Sequence, residues 1–332
     1  MSQEVASRPT RSPSLRLRRK PLPKWAHWPV RILFYGVGFP LTRLLALFGL
    51  WPRVISRPFK RMLVRAGKFV PTSHDVLVCS YFKAGTNWTM QIALQIAHRG
   101  RAQFEHIHDL VPWIDMNDRA RFAVPATHDP VWQNCPTGLR IIKTHAGFDN
   151  LVYRPDARYI WVVRDPKDVF VSSYHFIKSV TLGGLMPTPD QWLDLYLSPD
   201  TPFGPWANHL ESGWRNRHRD NVLFLTYEEM KADLPAAVAR IAALMRVALS
   251  PEEIESVVEQ SSYQHMKSIG HKFDMIEMPW TNPRGAMVRR GERGSAGEML
   301  SPLQQQRVDD YWRNELRRLG SDFPYDEHFG AR

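Results

Sequence analysis

The sequence predicts an α/β fold in which a central parallel sheet is flanked by helices, extended at its N-terminus by a basic, amphipathic helical segment. Three observations carry this. From residue 75 onward, short apolar runs of strand length alternate with stretches of helical pattern. The chain has 332 residues, 43% of them hydrophobic, enough to bury a sizeable core. The charge is unevenly placed: residues 1–70 hold fifteen Lys and Arg against one acid, Glu4, so a chain of net charge +11 has a body of about −3.

Taken in order, residues 1–24 are rich in Arg, Ser and Pro and read as a disordered basic tail. Residues 25–70 read as a helical extension. Its apolar part, "WAHWPVRILFYGVGFPLTRLLALFGLW", is interrupted by Arg31, Pro40 and Arg43. The longest uncharged run, Ile32 to Thr42, has 11 residues, against about 20 for a spanning helix. Arg43 at mid-membrane would cost roughly 2.5–3.5 kcal/mol. A cleavable signal peptide also fits poorly, since no small-x-small site follows the apolar run. Two short helices lying on an anionic membrane surface are therefore expected. The competing expectation is that the segment packs on the body of the protein.

The body, residues 71–332, reads as one domain without internal repeats. Strands are expected at "VLVCS" (76–80), "LRIIK" (139–143), "RYIWVV" (158–163) and "NVLFLT" (221–226). Helices are expected at 86–98, after Asp165-Pro166, from the fourth strand to about Val247, from the Ser250/Glu253 capping pattern, and over "SPLQQQRVDDYWRNELRRLG" with Gly320 as its stop. Two cysteines, Cys79 and Cys135, make no disulfide framework and no metal-thiolate cluster, which points to a reducing, cytoplasmic compartment. The pair His106 and His108 lacks a third ligand, so no metal site is expected.

In a parallel sheet, ligands gather beyond the carboxyl ends of the strands. After the first strand comes "SYFKAGTNW", a glycine-containing turn opening a helix, the geometry of a phosphate cradle. Its Lys83 precedes Gly85, the reverse of the usual P-loop order. The second strand ends in Lys143, Thr144 and His145. The third ends in Arg164, with Ser172 about two helical turns on, and the fourth in Tyr227. Cations and helix N-termini suit phosphate-like groups, and Trp88 and Tyr227 suit a flat ring. Near the C-terminus "VRRGERG" adds Arg289, Arg290 and Gly291. The combination points to a nucleotide bearing several anionic groups.

These residues resemble the cytosolic-type sulfotransferases that use 3'-phosphoadenosine 5'-phosphosulfate (PAPS), in a bacterial-like member. "SYFKAGTNW" is similar to the family's 5'-phosphosulfate loop, "IIKTH" to its catalytic-base strand, and "VVRDPKDVFVSSYHF" to its 3'-phosphate motif. "LTYEEM", "SSYQHMK" and "RRGERG" resemble three further segments, in family order, over residues about 70 to 325. The resemblance implies a single P-loop-like domain. It implies that Lys83 and the N–H groups of Ala84, Gly85, Thr86 and Asn87 hold the 5'-phosphosulfate. Trp88, Tyr227 and Tyr263 would frame the adenine, with Ser261 beside them. Arg164, Ser172, Arg289, Arg290 and Gly291 would hold the 3'-phosphate. His145 would be the general base, with Lys143 and Lys83 as cations beside the transferring group, and no metal would be needed. The sequence departs from the pattern at Phe82, at Ala84 and at Gly294-Ser295-Ala296, and the last loop could be anchored at Arg289–Gly291 or at Arg293-Gly294.

The implied reaction is in-line sulfuryl transfer to a hydroxyl or amine of an apolar or amphipathic, lipid-like small molecule, releasing PAP. Segments 108–116 and 180–192, with Phe82, Trp113, Trp132 and Met186, are the expected acceptor lining. No nucleic-acid partner is expected, and the protein would lie peripherally on a membrane. Two rival readings are a nucleotide-dependent kinase with an aberrant P-loop, using Asp165 and Asp168 for its metal, and a membrane-surface protein with a dead nucleotide site.

Overall fold

A computed structural model describes residues 22–117, 122–126, 134–283, 287 and 294–330. In chain order the elements are α1 (Lys24–Leu47), α2 (Trp51–Ala66), β1 (Asp75–Ser80), α3 (Thr86–Ala97), β2 (Arg140–Thr144), β3 (Arg158–Val163), α4 (Pro166–Ile177), α5 (Pro189–Tyr196), α6 (Trp206–Trp214), β4 (Val222–Thr226), α7 (Tyr227–Ala232), α8 (Leu234–Met245), α9 (Pro251–Gln260), α10 (Tyr263–Ser268), α11 (Pro302–Arg318) and α12 (Tyr325–Phe329).

Among the described residues the sheet has four parallel strands in the order β2-β1-β3-β4. Successive side chains leave a strand on opposite faces, so each strand feeds two cores. Leu77, Cys79, Tyr159 and Trp161 enter one, and Val76, Val78, Ile160 and Val162 the other. Burial on both faces explains why the strands read as continuous apolar runs. Because β1 lies between β2 and β3, the chain switches direction around β1, and the crevice opens beyond its carboxyl end.

The opposite edge of the sheet is clamped. Asp75, fully buried at the start of β1, takes a two-pronged bond from Arg140 at the start of β2 (Nε–Oδ1 2.7 Å, Nη2–Oδ2 3.0 Å) and the N–H of Thr72 at 2.7 Å.

Helix starts follow the local chemistry. Asp165 caps α4 by accepting the Lys167 N–H at 2.8 Å, with Pro166 in the first turn. Ser250 and Glu253 form a reciprocal capping box at α9, as Ser301 and Gln304 do at α11.

The N-terminal extension differs from the expected pair of short surface helices. α1 runs unbroken for 24 residues through Pro29 and Pro40, about 36 Å at the standard rise. By length and composition alone it could cross a membrane. Each interior proline removes one backbone donor, and docking of Phe34 and Tyr35 on Trp280 and Gly184 holds the middle of the helix against the body. α2 is not a free surface helix. Ile55, Ser56 and Ala66 are buried, Phe59 packs on Phe203 with ring centroids 4.6 Å apart, and Ser56 Oγ donates to the Asp200 carbonyl. Arg53, Arg57 and Arg61, spaced by four, form its outward face.

Candidate active site

The residues expected at the strand ends do gather at one edge of the sheet. After β1, the Ala84 N–H closes the turn onto the Tyr81 carbonyl at 3.0 Å. This corrects the expectation for Ala84: its N–H is spent within the turn, and its methyl is buried. Lys83 (φ +66°) and Gly85 (φ +104°) both adopt left-handed backbone, which aims successive N–H groups to one side. A Cβ on Gly85 would lie 2.8 Å from the Tyr227 ring, so only glycine permits this approach. α3 starts at Thr86, so the N–H groups of Thr86, Asn87 and Trp88 have no acceptor within the helix. Thr86 Oγ1 bonds Ser80 Oγ at 2.6 Å and pins the loop to β1.

β2 carries the next three groups. The His145 Nδ1–H donates to the Ser80 carbonyl at 2.9 Å, since a carbonyl can only accept. This fixes the tautomer and leaves Nε2 with its lone pair. Burial, then the neighbouring Lys143 charge, holds the imidazole well below its ordinary value, with only the Ser80 bond opposing. Burial pushes the Lys143 ammonium down to about 7, against the attraction of Asp115 and with help from Lys83. Lys143 Nζ stands 3.4 Å over the Trp113 ring, and Lys83 Nζ 4.4 Å from the centre of Phe176.

Aromatic rings enclose His145. Trp113 (5.6 Å), Phe203 (5.3 Å) and Phe82 (6.0 Å) all meet it edge-on, and Phe82 stacks on Phe203 at 4.2 Å. Phe82 and Trp113 thus stand beside His145, and Met186, after the short helix Gly183–Leu185, packs half-buried against the core cluster that contains Phe82 and Phe203.

Beyond β3, the Arg164 guanidinium lies 4.4 Å from the centre of the Tyr227 ring and bonds Asp168 at 3.2 Å. Asp168 also accepts the Gly294 N–H (3.2 Å) and the Ser295 hydroxyl (2.9 Å). The Ser295 departure therefore becomes an anchor that ties the end of the last glycine loop to α4, next to Arg164. Arg289, Arg290, Gly291 and Arg293 lie outside the described residues, as does Trp132. Ser172 shares a face of α4 with Asp168, four residues on. Trp88 meets Tyr227 edge-on at 5.3 Å and donates to the Ser261 carbonyl at 2.7 Å. Ser261 is fully buried, and its hydroxyl has no hydrogen-bond partner among the described residues. Tyr263 stands at the rim, largely exposed.

Asp115, Phe203 and His209 also belong to this edge. Asp115 is fully buried and accepts from Trp113 Nε1 (2.9 Å), Thr144 Oγ1 (2.6 Å) and the His145 N–H (2.7 Å). Burial raises its carboxyl above the ordinary value, and these bonds with Lys143 pull it back. The only sequence signal was its place two residues after Trp113. Phe203 holds left-handed backbone at φ +65°, a strained state for a bulky residue. His209 packs on Trp161 with the rings tilted, and burial lowers it to about 3. The histidines His106 and His108 instead bond the carbonyls of Asp274 and Val111.

A family model described as "Sulfotransferase domain" matches residues 73–320. Human sulfotransferase 2B1 is 30% identical over 258 residues, 76% of this chain and 68% of that protein. Amine sulfotransferase of Oryctolagus cuniculus is 28% identical over 278 residues, 80% of this chain and 86% of that one. Among solved structures, mouse sulfotransferase SULT7A1 complexed with PAP superposes with a TM-score of 0.60 at 24% identity, over 78% of this chain and 89% of that one. Retinol dehydratase in complex with androsterone and the inactive cofactor PAP gives 0.64 at 19% identity, over 82% and 88%. With its parallel sheet, its post-strand loop and its matched span, the chain belongs to the sulfotransferase family.

Proposed function

We propose that the protein transfers the sulfuryl group of PAPS to a hydroxyl or amine of an apolar or amphipathic small molecule, with His145 as general base. The observation that carries this reading is the His145 environment. It is a neutral imidazole with Nδ1 tied to Ser80 and Nε2 left as acceptor, between two lysines and inside an aromatic enclosure.

The residues present fit PAPS. The Gly85 approach to Tyr227, the free first-turn N–H groups of α3 and the orphaned Ser261 hydroxyl suit a phosphorylated nucleoside. Lys83, Gly85, Thr86 and Asn87 would hold the 5' end, and Arg164 and Ser172 the 3'-phosphate. Trp88 and Tyr227 would hold the ring, with Tyr263 at its edge. Related proteins have been solved in complex with PAP, which supports a donor of this class. When bound, PAPS supplies a sulfuryl group activated by a phosphate leaving group. His145 accepts the acceptor proton at Nε2, a role contributing about 10²–10⁴ in rate. Lys83 and Lys143 place positive charge where negative charge develops. The aromatic rings exclude water and favour an apolar acceptor.

The kinase reading loses its carboxylates: Asp165 caps α4, and Asp168 is taken up by Arg164, Gly294 and Ser295. Calorimetry with PAP, ATP and Mg-ATP tests the donor, and tight PAP binding with no ATP binding is expected. A screen with labelled PAPS against phenols, sterols, amines, glycolipids and glycans, read by mass shift, tests the reaction. An absence of PAP binding overturns the reading.

The same reading places the protein peripherally on the cytoplasmic face of an anionic membrane. Trp25, Trp28 and Leu47 of α1 are 80%, 75% and 82% exposed, an apolar surface unlike that of a free helix in water, and Arg53, Arg57 and Arg61 stand on the neighbouring helix. The middle of α1 rests on protein through Phe34 and Tyr35, so the helix fits the membrane interface better than the bilayer core.

A further inference from the structure

We infer that the α1–α2 pair is a wall of the acceptor entrance, and that the acceptor is a bilayer-resident amphipathic alcohol taken laterally from the membrane on which α1 rests. The inference rests on the sulfotransferase and membrane-surface readings above.

The two helices dock on segments that border the base. Phe34 stacks face to face on Trp280 at 3.9 Å, and Tyr35 Oη accepts the Gly184 N–H at 3.2 Å and donates to the Trp280 carbonyl at 3.4 Å. Trp280 in turn donates to the Thr181 carbonyl at 2.9 Å, and the Asn282 N–H to the Ser179 carbonyl at 3.0 Å. The fit is close: a Cβ on Gly183 (φ +54°) would lie 2.4 Å from the Trp280 carbonyl and 3.0 Å from Tyr35 Oη. This platform, residues 178–185, continues directly from α4, whose Phe176 meets Phe82 edge-on and stands under Lys83. α2 reaches the same centre from another direction. Its Phe59 packs on Phe203, which stacks on Phe82 and meets His145.

Both N-terminal helices therefore touch the segments that enclose the base, and α1 turns its apolar side outward at that place. A membrane beneath α1 would lie beside the acceptor side of the site, not beside the nucleotide side near Arg164 and Trp88. An acceptor with a hydroxyl at the headgroup level and a hydrocarbon tail could pass from bilayer to enclosure without its tail entering water. Leaving water out of that transfer spares every methylene of the tail its exposure to water, so long-chain acceptors gain most.

The test uses the full-length protein, labelled PAPS and two alcohols of one chemistry: hexadecanol carried in phosphatidylglycerol vesicles, and butanol in solution. The protein is expected to sulfate vesicle-borne hexadecanol with kcat/KM at least ten-fold above butanol. The Phe34→Ala/Tyr35→Ala double variant, which undocks α1 without touching its outward face, should lose that preference at least ten-fold. Its PAP affinity, vesicle co-sedimentation and butanol turnover should stay within about two-fold. A Leu33→Asp/Val37→Asp variant, altered only on exposed positions, should lose co-sedimentation and the hexadecanol preference together. The proposal is overturned if the undocked variant keeps the preference, if butanol is preferred, or if neither alcohol is sulfated by a protein that binds PAP and vesicles. Loss of PAP binding in the unaltered protein would instead bring down the donor reading, and the proposal with it.

Discussion

The Asp115 carboxylate accepts the backbone N–H of His145 at 2.7 Å, and with its other bonds to Thr144 and Trp113 it sets the end of β2. One buried charge thus orients the base, the strand end and the ring beneath Lys143. Asp115→Asn turns part of an acceptor into a donor facing donors. Hydrogen bonds to a charged group contribute about 1.5–3 kcal/mol, so kcat should fall ten- to a hundred-fold with PAP affinity nearly unchanged. The same carboxylate holds the Lys143 charge up. Its removal should therefore move any loss of activity governed by Lys143 to lower pH, a shift that a purely structural role would not give. Unchanged pH profiles would separate Asp115 from Lys143.

His145→Ala should abolish turnover and leave PAP affinity within a few-fold, because the base acts on the acceptor. In the unaltered protein the depressed imidazole is already neutral at pH 6.5. The acid limb of kcat/KM should therefore lie well below that pH, and an ascending limb centred at 6.5 or above would speak against His145 as the base.

Lys143 at about 7 is partly neutral at pH 7.5. An anionic ligand favours the charged lysine, raises its pKa and draws a proton from solution. PAP binding at pH 7.5–8 should show proton uptake, read from calorimetric enthalpies in buffers of different ionisation heat. Lys143→Met should remove most of that uptake. Equal enthalpies in all buffers would show that Lys143 does not face the ligand.

Arg164→Ala should weaken PAP by about 1.5–3 kcal/mol, and adenosine 5'-phosphosulfate, which lacks the 3'-phosphate, far less. Since Arg164 and Ser295 both bond Asp168, Arg164→Ala and Ser295→Ala should combine non-additively in PAP affinity. Equal weakening of both nucleotides would assign Arg164 to another group.

A chain beginning at Lys68 should lose stability and acceptor turnover, because α2 carries the Phe59 support for Phe203. Phe59→Ala alone should lower stability by about 1–2 kcal/mol, less than for a fully buried ring. A chain beginning at Gly49 keeps α2 and should fold and bind PAP. Thermal unfolding and PAP titration of the three proteins check this ordering.

The four strands were legible because burial on both faces leaves continuous apolar runs, and Lys83, His145, Arg164 and Tyr227 were legible because each follows a strand. The length of α1 was not: Pro29, Arg31, Pro40 and Arg43 count locally against a long helix, and tertiary docking at Phe34 and Tyr35 has no periodic signature. Phe203 and α2 are joined by contacts more than a hundred residues apart in the chain, which spacing does not encode. Asp115 sits alone in an apolar segment, where one carboxylate reads as a turn residue until three donors are seen around it.

The Asp75–Arg140 clamp sits at the end of the sheet farthest from His145, and this separates two kinds of evolutionary freedom. Residues that hold the strands together are tied at one edge, while residues that choose acceptors hang from loops and helices at the other. Variants selected for heat resistance around Thr72, Asp75 and Arg140 should leave acceptor preference alone. Variants selected for new acceptors should arise around Phe82, Trp113 and Phe203 and leave the Asp75–Arg140 pairing intact. Directed-evolution libraries split along that line could be recombined with little interference.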